Sequence, residues 1–495
     1  MLSISKKKQI VSLPLRIVLI VLAFIVCFSA AAQHTFAATF TVTRNDDRNA
    51  VCVSNVDCSL REAVSAANAA PTSDTINFAA GLTLITLASG DAGDIAINNN
   101  GSLTITGPGA NVLTIDGGAG SNRIFFTNEA IVTLSGVTMQ GGNGDGTAIS
   151  DVGGAIFAFK GTLTLDSVVV ENNGGATVSG GGVSFVNNSG ASIVNSTFSG
   201  NYSSQCGAFN NLSGTLVVTN TTVSGNTANF FSGAGADAGG GFCNGGGMNL
   251  RNSTVTGNSA TTAGARAGGI YNYATLAIAN SIVAGNTATF RPEIENFSVV
   301  LSNGNNIIGD SANDSSDTAT AITYQASDIL DTPPLLGSLA SNGGATRTHA
   351  LAAGSPAIDK GNNTLAVNII TNTALVADQR GSTRIVDGDG NGTATVDIGA
   401  VEAQNAPTAA SVTIGGRVLS AEGRAISRAV VSLINASGEI RYAATNTFGY
   451  YRFADVAAGE TYVFAVSSKR YNFSRNPQVR TVVEETSEVD FTADN

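Results

Sequence analysis

Asn195-Ser-Thr-Phe-Ser-Gly-Asn201 is one of five related segments that decide the fold. The others are Asp166-Ser-Val-Val-Val-Glu-Asn172, Asn220-Thr-Thr-Val-Ser-Gly-Asn226, Asn252-Ser-Thr-Val-Thr-Gly-Asn258 and Asn280-Ser-Ile-Val-Ala-Gly-Asn286. Each begins with Asn, or once Asp, ends with Asn six residues later and carries Val or Phe in between. Successive segments start 29, 25, 32 and 28 residues apart, which is the spacing of a repeat protein.

The residues around these segments favour a parallel β-helix over other repeat folds. An alternating strand such as Thr162-Leu-Thr-Leu precedes each segment, and a glycine-rich stretch such as Gly180-Gly-Gly182 precedes most of these strands. Three short β-segments in about 28 residues make one coil of a right-handed parallel β-helix. The frame of leucine-rich repeats is absent, and a chain without Trp does not fit WD-type blades. Looser copies extend the pattern from Ile76 to Gly309, which predicts roughly eight coils and a rod on the order of 40 Å long.

The paired asparagines have a structural interpretation of their own. Side-chain amides that recur at a fixed bend can stack from coil to coil and satisfy the backbone groups of the turn. A general preference of Asn for turns explains its presence but not the constant gap of six residues. We therefore expect asparagine ladders along the rod.

The N-terminus and the charge balance indicate an exported protein. Lys6, Lys7, Lys8 and Arg16 precede or open an apolar run that ends at Phe28 and is followed by small residues, as in a signal peptide. We expect a leader over 1–38, secretion or cell-surface location, and no membrane span once the leader is removed. Its loss takes four of the 25 basic residues, so the formal charge changes from −11 to −15 against 36 acidic residues. Such a charge disfavours nucleic acid and anionic lipid as partners and suits divalent cations and neutral sugars.

The segment that follows the leader predicts a cap for the first coil. Ser59-Leu-Arg-Glu62 is a capping box for a helix that buries Leu60, Ala63, Val64 and Ala67 on one face. Open sheet edges at the end of a solenoid need such a cover. Cys52 and Cys58 lie in the preceding loop, and an oxidising compartment favours a disulfide between them. Whether Cys206 and Cys243 pair remains open at this point.

Two resemblances extend this interpretation. Cys58-Ser-Leu-Arg-Glu-Ala-Val64 resembles the CSLREA signature of exported bacterial β-helix proteins, and Cys52 fits the partner cysteine. Four motifs after the repeats resemble the choice-of-anchor Q domain: Asn342-Gly-Gly-Ala-Thr-Arg-Thr-His-Ala-Leu-Ala352, Gly354-Ser-Pro-Ala-Ile-Asp-Lys360, Asp378-Gln-Arg-Gly and Asp397-Ile-Gly-Ala-Val-Glu. The resemblance implies an exported β-helix protein and no particular chemical activity.

The tail from about Ala410 resembles the carboxypeptidase-regulatory-like domain, a transthyretin-like β-sandwich with a carbohydrate-binding-like fold. The resemblance is carried by Ile414-Gly-Gly-Arg-Val-Leu419, Thr445-Asn-Thr-Phe-Gly-Tyr-Tyr-Arg-Phe-Ala454 and Gly459-Glu-Thr-Tyr-Val463. Tyr462, Phe464 and Val466 step by two, as half-buried strands do. Ala425 stands where the family commonly has Pro, a change that affects a turn rather than the fold.

The sequence thus predicts an all-β protein with six regions. They are a signal peptide at 1–38, a CSLREA-type cap at 39–78, β-helix repeats at 79–310, a choice-of-anchor Q region that completes the β-helix at 311–404, a linker at 405–410 and a β-sandwich at 411–495.

The repeats offer little for catalysis. A glycosidase needs two carboxylates about 5–10 Å apart, and the acids between 153 and 290 are few: Asp166, Glu171 and Asp237. Arg251 and Arg266 could serve a lyase but are isolated, and His349 is the only His well beyond the leader. We therefore expect a binding, adhesion or scaffold protein whose partners are extracellular polysaccharide or cell-envelope components. The alternatives are a polysaccharide lyase or glycoside hydrolase on the β-helix, or a purely structural envelope component.

Two groups of residues are candidate binding sites. Asp387, Asp389 and Asn391 alternate with glycines, with Asp397 beyond, and resemble the first half of a calcium loop that lacks the twelfth-position Glu. An Asx-rich turn explains the same pattern, so calcium is a candidate ligand and no other cofactor is expected. Tyr450, Tyr471 and Phe473 could stack on sugar rings, although a place in the sandwich core also accounts for them.

Overall fold

A computed structural model describes most of the chain. The described residues are 36–88, 93–98, 101–118, 122–146, 149–186, 190–229, 239–261, 264–311, 321–404, 411–435, 438–482 and 484–494. The leader up to residue 35, the linker at 405–410 and Asp237 lie outside them. The chain forms two compact units, which divide at Gln404 and Asn405 and are described separately below.

The first unit is a parallel β-solenoid with three long sheets, so the predicted β-helix of roughly eight coils is confirmed. The first sheet comprises Thr39–Val42, Asp74–Phe78, Ser102–Thr106, Ile131–Ser135, Thr162–Asp166, Gly190–Val194, Thr215–Thr219, Gly247–Arg251, Thr275–Ala279 and Val299–Ser302. The second comprises Leu84–Thr86, Thr114–Asp116, Thr138–Gln140, Val169–Glu171, Thr197–Ser199, Thr222–Ser224, Thr254–Thr256, Ile282–Val283, Ile307–Ile308 and Ile329–Leu330. The third comprises Ile95–Ile97, Phe125–Asn128, Ile156–Phe159, Val183–Val186, Phe209–Asn211, Phe242–Asn244, Ile270–Asn272 and Ile294–Asn296. A short fourth sheet joins Tyr202–Ser203, Thr227–Ala228 and Ser259–Ala260.

The interior of the solenoid is a continuous apolar column. Inward positions of successive strands lie in register, so that like residues stack; Leu163, for example, pairs with Val132 and Ala191. Phe185, Phe209 and Phe242 form an aromatic stack with ring centroids 6.4 and 6.3 Å apart. Each coil adds a layer to this column, and burial of its apolar area stabilises the stack.

Asparagine ladders are present, with one correction to the predicted register. The Nδ2 groups of Asn201, Asn226 and Asn258 each donate to the Oδ1 of the next asparagine at 2.8–2.9 Å. In the first repeat, however, the ladder residue is Asn173, which donates to Asn201 Oδ1 at 3.0 Å, rather than Asn172. Asn172 has φ +53° and occupies the corner that Gly200 fills in the next coil. The segment that we aligned from Asp166 to Asn172 therefore begins at Ser167.

A further asparagine ladder follows the third sheet and was not predicted. Asn211, Asn244 and Asn272 donate through Nδ2 to the Oδ1 of the next coil at 2.7–3.0 Å, and Asn296 receives the last bond. These residues end their strands three or four positions before the next strand of the first sheet begins. The recurrence of Asn at this short distance before a strand was the available sequence signal.

The predicted cap is confirmed. The helix Leu60–Asn68 has a complete capping box between Ser59 and Glu62, and it buries the expected apolar face. Asn68 bonds the backbone of the first third-sheet strand, through Ala96 O at 2.8 Å and Asn98 N at 2.9 Å. The Arg48 guanidinium, which bonds Glu62, holds the pKa of that carboxyl at about 2.

Both cysteine pairs are disulfides. Cys52 bonds Cys58 beside the cap, as predicted. Cys206 bonds Cys243, which the sequence left open. The second bond ties neighbouring coils together. Cys206 precedes the strand Phe209–Asn211, and Cys243 lies in the neighbouring strand Phe242–Asn244.

The chain after Ser311 was expected to complete the β-helix. One strand, Ile329–Leu330, does join the second sheet. Residues 332–404, here called the fold-back segment, then form antiparallel hairpins. Their elements are Leu336–Ala340 with Thr348–Leu351, Val367–Asn368 with Thr373–Ala374, Ile385–Val386 with Thr395–Val396, and a 3₁₀ turn at Asn363–Leu365.

The second unit is a β-sandwich. One sheet contains Tyr450–Ala457, Ser411–Leu419 and Phe491–Thr492, and the other contains Ile440–Ala444, Val430–Ile434, Thr461–Ser467 and Gln478–Thr481. Tyr451, Phe453, Tyr462, Phe464 and Val466 are buried between the sheets, so the predicted alternation is confirmed.

Candidate functional site

The fold-back segment lies along the outer face of the second sheet. Thr346 Oγ1 donates to Asn195 O at 3.0 Å, and at the other end Gly399 N donates to Asn280 O at 2.9 Å. Apolar contacts support these bonds, because Ala357 and Ile398 pack in one buried cluster with Ile282. The segment therefore covers outward-facing residues of several coils at once.

Gln379, from the Asp-Gln-Arg-Gly motif, bonds the fold-back segment to two neighbouring coils. Its Oε1 accepts from Thr222 Oγ1 at 2.6 Å, and its Nε2 donates to Ser196 O and Thr197 Oγ1 at 3.0 and 2.9 Å. The same Nε2 lies 3.0 Å from Thr346 Oγ1 within the fold-back segment. A buried amide with this many partners fixes the segment in one position on the coils.

Arg347 and His349, from the motif that begins at Asn342, bond further residues of the second sheet. Arg347 forms an ion pair with Glu171 and donates to Ser199 Oγ at 3.0 Å. His349 lies 2.8 Å from Ser224 Oγ through Nε2, and burial lowers its pKa. Glu171, one of the few acids of the repeats, is thus engaged in holding the segment.

The last motif forms a buried charged cluster. The Asp397 carboxylate accepts from Asp359 N at 2.7 Å and from Ala403 N at 2.5 Å, and burial raises its pKa to about 6. Glu402 accepts from Asp397 N at 3.0 Å, and burial raises its pKa to about 8. Arg384 is fully buried beside them and donates to Gly399 O at 2.5 Å. These groups organise the backbone around Asp359.

Three carboxylates meet at the surface of this cluster. Oxygens of Asp359, Asp387 and Asp389 all lie within 4.8 Å of one another. Loop amides orient them: Asp359 accepts from Asp389 N at 2.6 Å, and Asp387 accepts from Gly392 N at 2.7 Å. Three hard oxygen ligands, of which Asp359 is buried, Asp387 half-buried and Asp389 exposed, fit calcium, with open positions left for water. Lys360 Nζ, 3.8 Å from Asp389 Oδ2, partly offsets the negative charge.

This arrangement includes two of the four residues proposed from sequence. Asp387 and Asp389 lie together, whereas both oxygens of Asp397 accept backbone bonds behind Asp359. Asn391 Oδ1 accepts from Thr393 N at 2.9 Å, within the turn. Sequence reasoning missed Asp359, which comes from a separate motif; the pairing of that motif with the Asp-rich loop was the only available signal.

The remaining charged candidates on the repeats have structural partners. Asp166 Oδ1 accepts from Asn195 Nδ2 at 3.1 Å, and Arg266 pairs with Glu295 at 2.9 Å. Arg251 lies under the fold-back segment, 3.5 Å from Leu365 O.

The sugar-stacking candidates differ in exposure. Tyr450 is 48% exposed, with the Arg417 guanidinium 4.6 Å from its ring centre. Tyr471 and Phe473 are partly buried against the sandwich core. Phe448, which we did not single out, is 68% exposed beside Tyr450, and Arg417 Nη2 donates to its carbonyl at 3.2 Å. An exposed aromatic at a tight Asn-Thr-Phe-Gly turn was its signal.

The fold defines a parallel β-solenoid protein with a C-terminal β-sandwich. Residues 413–494 match the family model of the carboxypeptidase regulatory-like domain, so the second unit is a domain of this kind. No curated protein matches the chain. Among the described residues, no helix is both long and apolar enough to span a membrane.

Proposed function

We propose that the chain is an exported, non-catalytic binding or scaffold protein of the cell surface. In this proposal the CSLREA-type cap and the choice-of-anchor Q motifs belong to a rigid solenoid, and the carboxypeptidase regulatory-like domain contacts polysaccharide. The observation that carries the proposal is how the polar residues of the motifs are used. Gln379, Arg347 and Arg384 each bond the coils or the fold-back backbone, as a structural fastening requires. The basic leader and the paired cysteines support export.

The sugar contact is proposed at Phe448 and Tyr450. Both rings are exposed on one turn, and Arg417 braces Tyr450 and the Phe448 carbonyl. Aromatic rings present a large apolar face with few rotatable bonds, which suits sugar rings. Tyr471 and Phe473, which are partly buried against the sandwich core, are not part of this proposed contact.

Calcium is proposed at Asp359, Asp387 and Asp389, with Asn391 shaping the loop and Asp397 positioning Asp359. A bound ion would neutralise three neighbouring carboxylates and so stabilise the end of the fold-back segment. Its role in this proposal is structural.

Binding to insoluble polysaccharide tests the function. The full chain is incubated with amorphous cellulose, xylan or polygalacturonate, and both the retained protein and the released sugar are measured. We expect retention on at least one polymer without release of reducing or unsaturated ends. Phe448→Ala and Tyr450→Ala should lower retention.

Tyr442→Ala is the matched control, because Tyr442 is as exposed as Phe448 but lies on the other sheet. Sugar release that depends on Asp166 or Glu171 would show an enzyme and refute the proposal. Equal retention of all three variants would remove the sugar contact from this turn.

A further inference from the structure

In four successive coils, one asparagine forms the corner between the first sheet and the second. Asn195, Asn220, Asn252 and Asn280, here called the corner asparagines, all have positive φ values between 46° and 53°. Coils stack about 4.8 Å apart, so these residues form one row along the rod. The last three are buried, and the fold-back segment contacts this row.

The fold-back segment satisfies the corner asparagines on either side of Asn252 but not Asn252 itself. Asn220 Nδ2 donates to Ala377 O at 2.8 Å. Asn280 Nδ2 donates to Asn362 O at 3.0 Å, and its Oδ1 accepts from Asn362 N at 2.9 Å. Asn252 is fully buried, yet neither its Oδ1 nor its Nδ2 has a partner among the described residues. A buried amide of this kind carries a large desolvation penalty unless another group bonds it.

Further polar atoms beside Asn252 have no partner either. Thr219 pairs with Arg251 in neighbouring strands, and each of these two residues directly precedes a corner asparagine. Thr219 Oγ1, Asn220 Oδ1 and Arg251 Nε are buried without a hydrogen bond to any residue that the structure describes. Four adjacent side chains from two coils thus leave both donors and acceptors unused.

Arg251 is also without a counterion. Its Nη1 lies 3.5 Å from Leu365 O, at the limit of a hydrogen bond, and no described carboxylate forms an ion pair with it. Burial lowers its pKa. The nearby Asp378 is engaged by Arg380 at 2.7 Å. Because desolvation of a charge is costly unless the charge is paired, an anion satisfies this position better than water alone.

The unused donors and acceptors together define the ligand. The Nε side of the Arg251 guanidinium presents a fork of N–H groups that matches two oxygens of an oxyanion. The Nδ2 of Asn220 is engaged, so the unused group of that amide is its acceptor Oδ1, which requires a donor such as a hydroxyl. The contacts at Ala377 and Asn362 lie two coils apart, or about 10 Å, which limits the ligand to a small molecule.

We propose that Thr219, Asn220, Arg251 and Asn252 bind a small oxyanion that carries a hydroxyl, such as hydrogen phosphate or a hydroxy acid. The bound anion neutralises Arg251, and its hydroxyl donates to an amide oxygen of a corner asparagine. The anion also joins the fold-back segment to the coils, because that segment contacts the same row. This inference concerns the solenoid and goes beyond the proposed polysaccharide contact, which lies in the other unit and is tested separately.

Isothermal titration calorimetry of the full chain with inorganic phosphate tests the proposal, with galacturonate and sulfate in parallel at constant ionic strength. We expect one phosphate or one galacturonate to bind per chain, a comparison that distinguishes an inorganic from an organic ligand. Sulfate, which has no hydroxyl at neutral pH, should bind more weakly. Arg251→Gln should raise the dissociation constant at least about tenfold, because it removes the charge-assisted bonds. Arg452→Gln, at an exposed arginine of the second unit, is the matched control and should bind as the wild type does.

Asn252→Asp is a second variant that keeps the backbone conformation, because Asp tolerates the positive φ of this corner. Its carboxylate supplies Arg251 with a counterion from within the chain, so phosphate should no longer bind. Its melting temperature in phosphate-free buffer should stay at or above that of the wild type. Wild-type chain that binds none of the three anions, or unchanged binding in both Arg251→Gln and Asn252→Asp, would overturn the proposal. Sulfate binding as tight as that of phosphate would remove the hydroxyl from the assignment.

Discussion

Asn226→Ala removes a central step of the longest asparagine ladder. The Asn226 side chain is fully buried and makes four bonds. Its Oδ1 accepts from N and Nδ2 of Asn201 at 3.0 and 2.9 Å. Its Nδ2 donates to Phe198 O at 3.0 Å and to Asn258 Oδ1 at 2.8 Å.

The loss in stability follows from these bonds. Each intramolecular hydrogen bond contributes about 1 kcal/mol net, so four bonds contribute about 4 kcal/mol. The variant also leaves Asn201 N buried without a partner, which carries a desolvation penalty of roughly 1–3 kcal/mol, and leaves Asn201 Nδ2 with its bond to Val170 O alone. We therefore expect a loss of at least about 4 kcal/mol, which belongs to the large effects of a single substitution.

Urea unfolding followed by far-ultraviolet circular dichroism measures the effect. The midpoint should fall strongly in Asn226→Ala with little change in slope. Asn249→Ala is the matched control, because Asn249 is partly exposed on the outer face of a neighbouring coil. Its free energy of unfolding should change by no more than about 0.5 kcal/mol. If the two variants differ by less than about 1 kcal/mol, the ladders are turn residues without an energetic role, contrary to the estimate from net bond energies.

Three further predictions test the fold-back segment and the end of the solenoid. Millimolar calcium should raise the melting temperature of the wild type, since weak sites have dissociation constants on the order of 10⁻⁴–10⁻³ M. Asp359→Asn or Asp389→Ala should abolish the rise, and the control Asp455→Asn should keep it. Burial raises the pKa of Glu293 to about 7 and of Glu402 to about 8, so the free energy of unfolding should fall as pH rises from the unfolded values of these groups near 4.5 toward 8. In Glu293→Gln, urea midpoints should show a smaller fall between pH 5 and 7. Gln379→Ala should speed hydrogen exchange across 342–404 but not in the buried third sheet. Gln404→Ala, at an exposed position, should leave exchange in both regions unchanged. Equal protection of 342–404 in the two variants would contradict the role of Gln379 in holding the fold-back segment.

The coils were predictable because their signal is periodic. Alternating apolar residues and corner asparagines recur in every repeat, and the cap shows a local capping box. The register of the first repeat was not predictable, because Asn172 and Asn173 both satisfy the pattern. In later coils a Gly precedes the ladder residue, as at Gly200 and Asn201, since that corner has a positive φ. Reading Asn172 as the substitute for this Gly gives the correct register.

The candidate cation site was only half predictable. Asp387 and Asp389 are close in sequence, and their alternate spacing is a recognisable loop pattern. Asp359 joins them because the turn that carries it packs against the Asp-rich loop, whose Gly388 and Asp389 amides donate to its carboxylate, and no periodicity connects these two segments. Asp397 carried the same chemical signal as its neighbours, yet it is buried and accepts backbone bonds. Burial, which separates a ligand from a structural carboxylate, depends on this tertiary contact.

The ladders have a direction, which explains where acidic residues interrupt them. Each Nδ2 of the ladder that starts at Asn173 donates one N–H to a carbonyl of the preceding coil and the other to the next asparagine. The last amide, that of Asn286, therefore needs an acceptor on its C-terminal side. Glu293 Oε2 supplies it at 2.6 Å, because a carboxyl oxygen can accept the bond that the next asparagine would otherwise take. A parallel row, in which each backbone N–H donates to the side chain of the next coil, ends in the same way, with Asn306 N bonding Asp328 Oδ1 at 3.0 Å. An acid at the end of a run of Asn or Ser therefore marks the end of that ladder, as Glu293 does only seven residues after Asn286, although the coils themselves continue beyond it.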